Sequence, residues 1–142
     1  MVWRVPYVPE CRSGVELPAV ALTDLDEAVQ PLPGIFFGAV SVRAFRELGL
    51  WQKLAASEAL DYRLLLAIPP NEHALISQLF PPSQRSLILL SESAIWQAWR
   101  GNPEETKSFG VVVRDGRAKF VVLGLPTEEV WDEFLAAGAQ AA

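Results

Sequence analysis

The sequence predicts an α/β domain in which a central mixed sheet is flanked by helices. Short apolar runs alternate with segments whose apolar residues recur every three or four positions. The last third differs, because two strand-like segments joined by Asp-Gly precede one more helical segment. The chain has 142 residues, of which 51% are hydrophobic, so it matches one ordinary domain with a full core.

The first predicted strand and helix follow Pro33-Gly34. Ile35–Val40 is a continuous apolar run, as expected for a strand that is buried on both faces. Ser41 is a good N-cap for the helix that follows, because its hydroxyl can accept a hydrogen bond from a first-turn amide. The apolar stripe of this helix consists of Phe45, Leu48, Trp51 and Ala55.

Two further strand–helix units are predicted next. Tyr62–Ile68 is a second buried strand, and Asn71 is a good N-cap for a short helix that lies between two Pro-Pro pairs. The apolar side of that helix consists of Leu75, Ile76, Leu79 and Phe80. Ser86–Leu90 is a third strand, and Ser93–Arg100 is a short helix that ends before a glycine.

The closing unit is a hairpin followed by a helix. Phe109–Val113 and Arg117–Leu123 are the two strands, and Asp115-Gly116 supplies the positive φ of a tight turn. Thr127 is the predicted N-cap of the last helix, and Gly138 is expected to close it. The buried stripe of that helix consists of Val130, Trp131, Phe134 and Leu135.

Parallel β-α-β units followed by a β-β-α unit are the order of elements in a thioredoxin-like fold. A flavodoxin-like or other doubly wound sheet is the alternative, but it would carry another strand–helix repeat in place of the hairpin. We expect a single thioredoxin-like domain over residues 1–142. Residues 1–16 would form an N-terminal extension, and residues 139–142 a frayed tail.

Composition excludes several kinds of chemistry. Twelve Lys and Arg against seventeen Asp and Glu give a net charge of −5, which argues against a nucleic-acid footprint or a polybasic membrane patch. One cysteine cannot form an intrachain disulfide or a cysteine-rich zinc site, and one histidine excludes a multi-histidine metal site. We therefore expect no cofactor, no metal and no nucleic acid. A signal peptide and a membrane-spanning run are not evident, so a cytoplasmic location is expected.

Three segments in order resemble the thioredoxin-like redoxins and the AhpC/TSA-type peroxiredoxins, over residues 17–137. Leu17–Val40 resembles the stretch "P-x-F-x-L-x-D-x-x-G" and the central strand that follows it. Leu89–Arg100 (LLSESAIWQAWR) resembles their "L-L-S-D" segment. Ser108–Gly116 followed by Arg117–Gly124 resembles their closing hairpin, "x-F-V-I-D-x-D-G-x-I". The resemblance implies the fold, and it implies thiol redox chemistry wherever the active cysteines are present.

The active-site segment departs from the family pattern. Aligning Glu47-Leu48 with the family's E-L places Ser41 and Ala44 at the two cysteine positions of a dithiol redoxin. In the peroxiredoxin register the same two residues stand at the threonine and at the peroxidatic cysteine. Glu105–Ser108 replaces the proline that precedes the hairpin, and Lys107 falls near the arginine of peroxiredoxins. Without a thiolate neither position can exchange disulfides, so no catalytic residue is assigned.

The remaining candidate residues have simple structural interpretations. Ser41 is interpreted as an N-cap without a His or Asp partner, since His73 lies on another helix and is expected to be exposed. Cys11 lies outside the redoxin motif between Glu10 and Arg12, whose charges oppose each other, and is interpreted as a passive thiol in an N-terminal loop. The acidic residues interpreted as solvated are Glu47, Glu58 and Asp61.

Three functions follow as hypotheses. The first is a redox-inactive module that binds another protein or itself, using the surface at Ser41 and an exposed tryptophan, because Trp96 and Trp99 cannot both face the core easily. Trp96 is also placed to stack on Arg100 four residues later. The second is an unconventional thiol protein that uses Cys11. The third and weakest is a small-anion binder at Ser41 and Lys107, next to the helix dipole.

Overall fold

The computed structural model describes residues 10–100 and 107–141, and within these ranges it contains one eight-stranded sheet with helices on both faces. The strands are β1 (Glu10–Glu16), β2 (Leu22–Thr23), β3 (Val29–Gln30), β4 (Ile35–Ala39), β5 (Arg63–Leu66), β6 (Ile88–Leu90), β7 (Phe109–Arg114) and β8 (Arg117–Leu123). The helices are α1 (Phe45–Ser57), α2 (Ile76–Leu79), α3 (Ser93–Arg100) and α4 (Glu128–Ala141). Short 3₁₀ turns cover Val42–Ala44, Pro70–Leu75 and Pro82–Leu87.

The sheet is mixed, as the sequence predicted. Its order is β1-β8-β7-β4-β5-β6-β2-β3, in which β4, β5 and β6 are parallel and β7 is antiparallel to β4. The carboxyl ends of the three parallel strands therefore meet at one edge of the sheet. The closing hairpin is confirmed, because Asp115 and Gly116 both have positive φ, 54° and 76°, between β7 and β8.

Each face of the sheet has its own aromatic core. On one face α1 packs on β4 and α4 packs on β7 and β8, and the ring of Phe37 stacks on Trp51 with centroids 4.8 Å apart. On the other face α3 covers the sheet, and Trp96 stacks on Phe109 at 6.0 Å. The continuous apolar run in β4 is thus explained, because alternate side chains enter opposite cores.

The segment predicted as part of an N-terminal extension contains a strand. Residues 10–16 form β1, which pairs antiparallel with β8, from Glu10 opposite Leu123 to Glu16 opposite Arg117. The indole N–H of Trp99 also donates to the Glu16 carbonyl at 2.8 Å. The sequence of β1 is polar and lacks an apolar alternation, so periodicity did not indicate a strand there.

Several predicted boundaries are wrong, and among them is the second strand, which covers Arg63–Leu66 and not Tyr62–Ile68. Asn71 is not an N-cap, because a 3₁₀ turn already begins at Pro70, with Pro69 before it. The third strand begins at Ile88, since the residues before it belong to another 3₁₀ turn. Gly138 lies inside α4, where a Cβ would stand 3.3 Å from a methyl group of Ile35, so this glycine permits close packing.

The N-terminus of α4 agrees with its prediction, because the Val130 amide donates to the Thr127 hydroxyl at 3.3 Å. None of the helices in the described ranges is long and apolar enough to cross a membrane.

Candidate functional site

The turn between β4 and α1 holds the two positions that the family resemblance assigns to active residues. Ser41 has extended backbone angles and caps the 3₁₀ turn, since the Arg43 amide donates to its hydroxyl oxygen at 3.2 Å. The Ala44 amide donates to the Ser41 carbonyl at 3.1 Å, which closes the turn. Residues 41 and 44 are thus the two ends of one tight turn. Ser41 acts as an N-cap as predicted, but it caps the 3₁₀ turn that leads into α1, and the N-cap position of α1 itself is Ala44.

The chemistry available at this turn is limited. The side chain of Ala44 has no exposed surface and belongs to the core under α1. Ser41 is 6% exposed, and its hydroxyl oxygen is engaged by the Arg43 amide. Disulfide exchange needs an accessible thiolate, which neither side chain can supply.

A buried hydrogen-bond network lies beside this turn. The Oε1 atom of Glu47 accepts hydrogen bonds from the Ser108 amide at 2.8 Å and from the Ser108 hydroxyl at 2.7 Å. The Ser108 hydroxyl oxygen in turn accepts from the indole N–H of Trp51 at 2.8 Å. Ser108 and Trp51 are fully buried. The prediction that Glu47 is a solvated helix residue is therefore wrong, because it connects α1 to the start of β7.

The segment before β7 is also held from the other face of the sheet. Arg100 is 1% exposed, and its Nη1 atom donates to the Lys107 carbonyl at 2.7 Å. The Ser108 carbonyl accepts from the Gly124 amide at 2.7 Å. Lys107 is half-buried. Gly38 near the end of β4 pairs with Phe109 at the start of β7, so Ser41 and Lys107 both lie just outside the same end of this strand pair. Residues 105 and 106 of the predicted proline replacement lie outside the described ranges.

The tryptophans of α3 both contact the core under that helix, which includes Phe36 and Phe109 and which we call the second core. Trp96 is 1% exposed, and its indole N–H donates to the Ser91 hydroxyl at 2.9 Å. Trp99 is partly buried, with its ring centroid 5.6 Å from that of Phe109. The prediction of an exposed tryptophan as a contact anchor is therefore wrong for Trp96. Among the described residues, the large apolar side chains that are mostly exposed are Val29, Leu32, Leu79 and Ile95.

Cys11 is separate from the helix start. It lies exposed on β1, opposite Val122, and not in a loop as predicted. The sheet order places β1 three strands from β4, a lateral distance of about 14 Å from the usual strand spacing. Cys11 therefore cannot replace the thiols missing at positions 41 and 44.

Several hollows open at the carboxyl edge of the parallel strands. The first, which we call the α1 groove, has a volume of about 460 Å³ and lies between α1 and the segment after α2. It is lined by Val42, Phe45, Arg46, Gly49, Gln52, Leu79, Phe80, Pro81 and Gln84. The groove begins directly after Ser41, so it adjoins the helix start.

The second hollow, the His73 cavity, has a volume of about 640 Å³ and lies beyond the ends of β5 and β6. It is lined by Ala21, Thr23, Glu27, Ile68, Pro69, Pro70, His73, Leu90, Ser91, Glu92, Ser93 and Ala94. His73 is half-buried there, not exposed as predicted, and its Nε2 atom is 3.3 Å from the Ile68 carbonyl. Sequence patterns could not reveal either hollow, because their walls come from segments far apart in the chain.

No cluster of three or more His, Cys, Asp or Glu side chains suited to a metal ion occurs in residues 10–100 and 107–141.

Comparison with known proteins gives one informative likeness. No family model and no curated protein matches the sequence. Among solved structures, the chain is similar to the crystal structure of a thio-disulfide isomerase from Thermus thermophilus, with a TM-score of 0.59 and 14% identity. The match covers 89% of this chain and 97% of that chain. Together with the mixed sheet and its helix on either face, this likeness shows that the chain has a thioredoxin-like fold.

Proposed function

We propose that this protein is a thioredoxin-like binding module without thiol redox chemistry at its helix start. The observation that carries the proposal is the turn after β4, where Ser41 acts as an N-cap and the side chain of Ala44 is closed in the core. A thio-disulfide isomerase exchanges disulfides through a thiolate. If the register of the family resemblance applies, the turn in this chain stands where such a site would be, and it has no sulfur atom at residues 41 or 44.

The AhpC/TSA branch is the finer relationship that we propose. The segment that resembles the "L-L-S-D" stretch of that group folds as β6 and α3, between the central strands and the closing hairpin. The peroxidatic position of that group corresponds to Ala44, so peroxide reduction at this position is not part of the proposal.

The α1 groove is the surface that we assign to binding of a polypeptide, either another protein or a second copy of this chain. Its walls are apolar at Val42, Phe45 and Phe80, and Leu79 at its edge is 52% exposed. A half-exposed leucine beside an apolar groove can be buried by an apolar side chain of a partner. Arg46 on the rim is an exposed cation that would favour an acidic group next to that anchor.

The redox part of the proposal is tested by insulin reduction and peroxide turnover with the full chain. We expect no turnover above the uncatalysed rate, and the same result for the Cys11→Ser variant. Turnover that disappears in Cys11→Ser would contradict the proposal and support the alternative function, a thiol protein that uses Cys11. That alternative rests on the exposed position of Cys11 on β1, which another thiol or disulfide can approach.

The binding part is tested with a photo-crosslinking residue at Gln84, on the rim of the α1 groove. We expect a specific crosslink to a second copy of the chain or to one partner from the native extract. The crosslink should be lost in Leu79→Glu and kept in Ile95→Glu, a matched substitution of an exposed apolar residue on α3. A crosslink that persists in Leu79→Glu, or the absence of any crosslink, would contradict binding at the groove.

A further inference from the structure

The outer side of α1 carries positive charge. Arg46 and Lys53 are both exposed and lie about two turns apart, so they project from the same side of the helix. The buried Trp51 lies on the opposite side. Glu47, the acidic residue in the first turn, does not offset this charge, because it bonds to Ser108 at the start of β7. We call Arg46 and Lys53 the basic stripe.

The outer side of α4 carries negative charge instead. Four exposed acidic side chains, spaced as two i, i+4 pairs, form what we call the acidic stripe: Glu128, Glu129, Asp132 and Glu133. The sequence of α4 contains no lysine or arginine that could offset them. The buried Trp131 and Phe134 lie on the other side of the helix. Like charges at this spacing destabilise a helix slightly, and a basic surface opposite them relieves the repulsion.

The two stripes lie side by side on one face of the molecule. β4 and β8 run in the same direction, because both are antiparallel to β7, so α1 and α4 begin at the same edge of the sheet. The Trp51 ring centroid is 6.1 Å from that of Trp131 and 5.6 Å from that of Phe134, which makes the two helices neighbours. Trp51 lies within the basic stripe along α1, and Trp131 lies within the acidic stripe along α4. Both stripes therefore stand at the same height along the helices.

A face with neighbouring stripes of opposite charge is complementary to a second copy of itself. Rotation by half a turn about an axis that runs along the two helices and between them places α1 of each copy over α4 of the other. Such a rotation preserves the height along the helices, so a basic stripe meets an acidic stripe at both contacts. An acidic partner of another kind would match α1 alone and would be repelled by the acidic stripe next to it.

We propose that two copies of this chain associate through the outer faces of α1 and α4, with the basic stripe of each copy on the acidic stripe of the other. Gly49 and Ala136 are exposed beside the stripes, and side chains this small let packed helices approach closely. The α1 groove lies on the far side of α1 from α4, towards α2, and Arg46 stands at the border of the two surfaces. The dimer therefore does not depend on a partner in the groove.

The test is sedimentation velocity of the full chain on a Cys11→Ser background, in which no disulfide can link two copies. We expect a dimer whose population rises with protein concentration. One variant makes α1 acidic, with Arg46→Glu and Lys53→Glu. The other makes α4 basic, with Glu129→Lys, Asp132→Lys and Glu133→Lys, and keeps Glu128 at the positive end of the helix dipole. Each variant alone places like charges at both contacts, so its dimer affinity should fall by about tenfold or more.

Mixing the two variants gives the decisive result. In the mixed dimer an acidic α1 meets a basic α4 at one contact, and a basic α1 meets an acidic α4 at the other, so equimolar mixing should restore the dimer. The matched control reverses three exposed acids outside these helices and should dimerise like the parent: Asp26→Lys, Asp61→Lys and Glu92→Lys.

Thermal melts check that the charge-reversed variants are folded. If either one is not, Arg46→Gln with Lys53→Gln takes its place and should weaken the dimer by about threefold. A parent chain that stays monomeric, stripe variants that dimerise like the parent, or a mixture of the two folded variants that stays monomeric would overturn the proposal.

Discussion

Glu47 shows how one side chain can fix the region around the helix start. Its carboxylate accepts two hydrogen bonds from Ser108, which is fully buried and also bound by the Trp51 indole. A carboxylate that bonds a backbone amide makes a strong, charge-assisted contact. The position of β7 relative to α1 thus depends on a residue that, in the sequence alone, is indistinguishable from a solvated helix glutamate.

We predict that Glu47→Ala lowers the free energy of unfolding by about 1–3 kcal/mol, because the buried Ser108 amide loses its acceptor. Glu47→Gln keeps an oxygen acceptor and should cost less. Urea denaturation measures both variants, with Glu58→Ala as the control, since Glu58 is an exposed glutamate at the C-cap of the same helix. Equal stability of Glu47→Ala and Glu58→Ala would show that the network contributes nothing.

Replacing two glycines by alanine should change the free energy of unfolding in opposite directions. A Cβ on Gly38 would lie 2.3 Å from the Phe109 ring, so Gly38→Ala should destabilise the fold by about 2–3 kcal/mol or more. Gly49 is an exposed position inside α1 with open space around it, so Gly49→Ala should stabilise by about 0.5–1 kcal/mol. Thermal melts of both variants test this, and a stabilised Gly38→Ala would show that the sheet moves to make room.

At the scale of elements, the turn between β4 and α1 carries the two positions at which, in the register of the family resemblance, a dithiol redoxin has its cysteines. The hydrogen bond from the Ala44 amide to the Ser41 carbonyl brings the ends of the turn within the distance that a disulfide requires. The side chain of position 44 is buried and that of position 41 is nearly so. Thiols introduced at both positions would thus be shielded from large partners but could still bond to each other.

We predict that Ser41→Cys combined with Ala44→Cys, on a Cys11→Ser background, forms an intramolecular disulfide under mild oxidation. Mass spectrometry with alkylation before and after reduction detects it, and Ser41→Cys alone on the same background is the control. Insulin reduction by the double variant would extend the result to activity. Exclusively intermolecular disulfides would contradict the alignment of positions 41 and 44 with a dithiol turn.

The turn between β2 and β3 should lose stability in acid, when Asp24 becomes protonated. The hydrogen bond from the Ala28 amide is the main cause that holds the pKa of Asp24 below its usual value of 3.8. Desolvation opposes it, and hydrogen bonds from the Asp26 amide and the Gln30 side chain lower the pKa further. Because the folded pKa is depressed, the stabilisation is present above the unfolded pKa and is lost as the pH falls through the folded one. The amide shift of Ala28 should titrate below pH 3.8, and Asp24→Asn should abolish that transition. A midpoint above 3.8 would contradict it.

At the scale of the whole molecule, local patterns predicted the central elements and missed the contacts between distant segments. The strand Arg117–Leu123 and the helix Ser93–Arg100 have the predicted bounds, because their apolar spacing and turn residues are local signals. β1 was missed because its residues are polar and its partner β8 lies at the far end of the sequence. The role of Glu47 was missed for the same reason, since Ser108 is 61 residues away.

The pairing of β1 with β8 carries a prediction for the domain as a whole. Arg12 in β1 donates through Nη2 to the Arg100 carbonyl at 3.0 Å, at the end of α3. Deletion of residues 1–16 should therefore cost more than about 3 kcal/mol of unfolding free energy, because an edge strand and its contacts with α3 are lost together. Arg12→Ala should cost about 1 kcal/mol in the same urea titration. A deletion variant as stable as the full chain would show that β1 is dispensable.

The same pairing determines when the domain can be completed during synthesis. β1 leaves the ribosome long before β8, so Glu10 must wait for Leu123, its partner in β8, before the strand can pair. Until then the second core, around Trp96 and Phe109, is covered neither by β8 nor by β1. Nascent chains that stop before β8 should therefore be exposed to aggregation and dependent on chaperones, since contacts between distant segments form late.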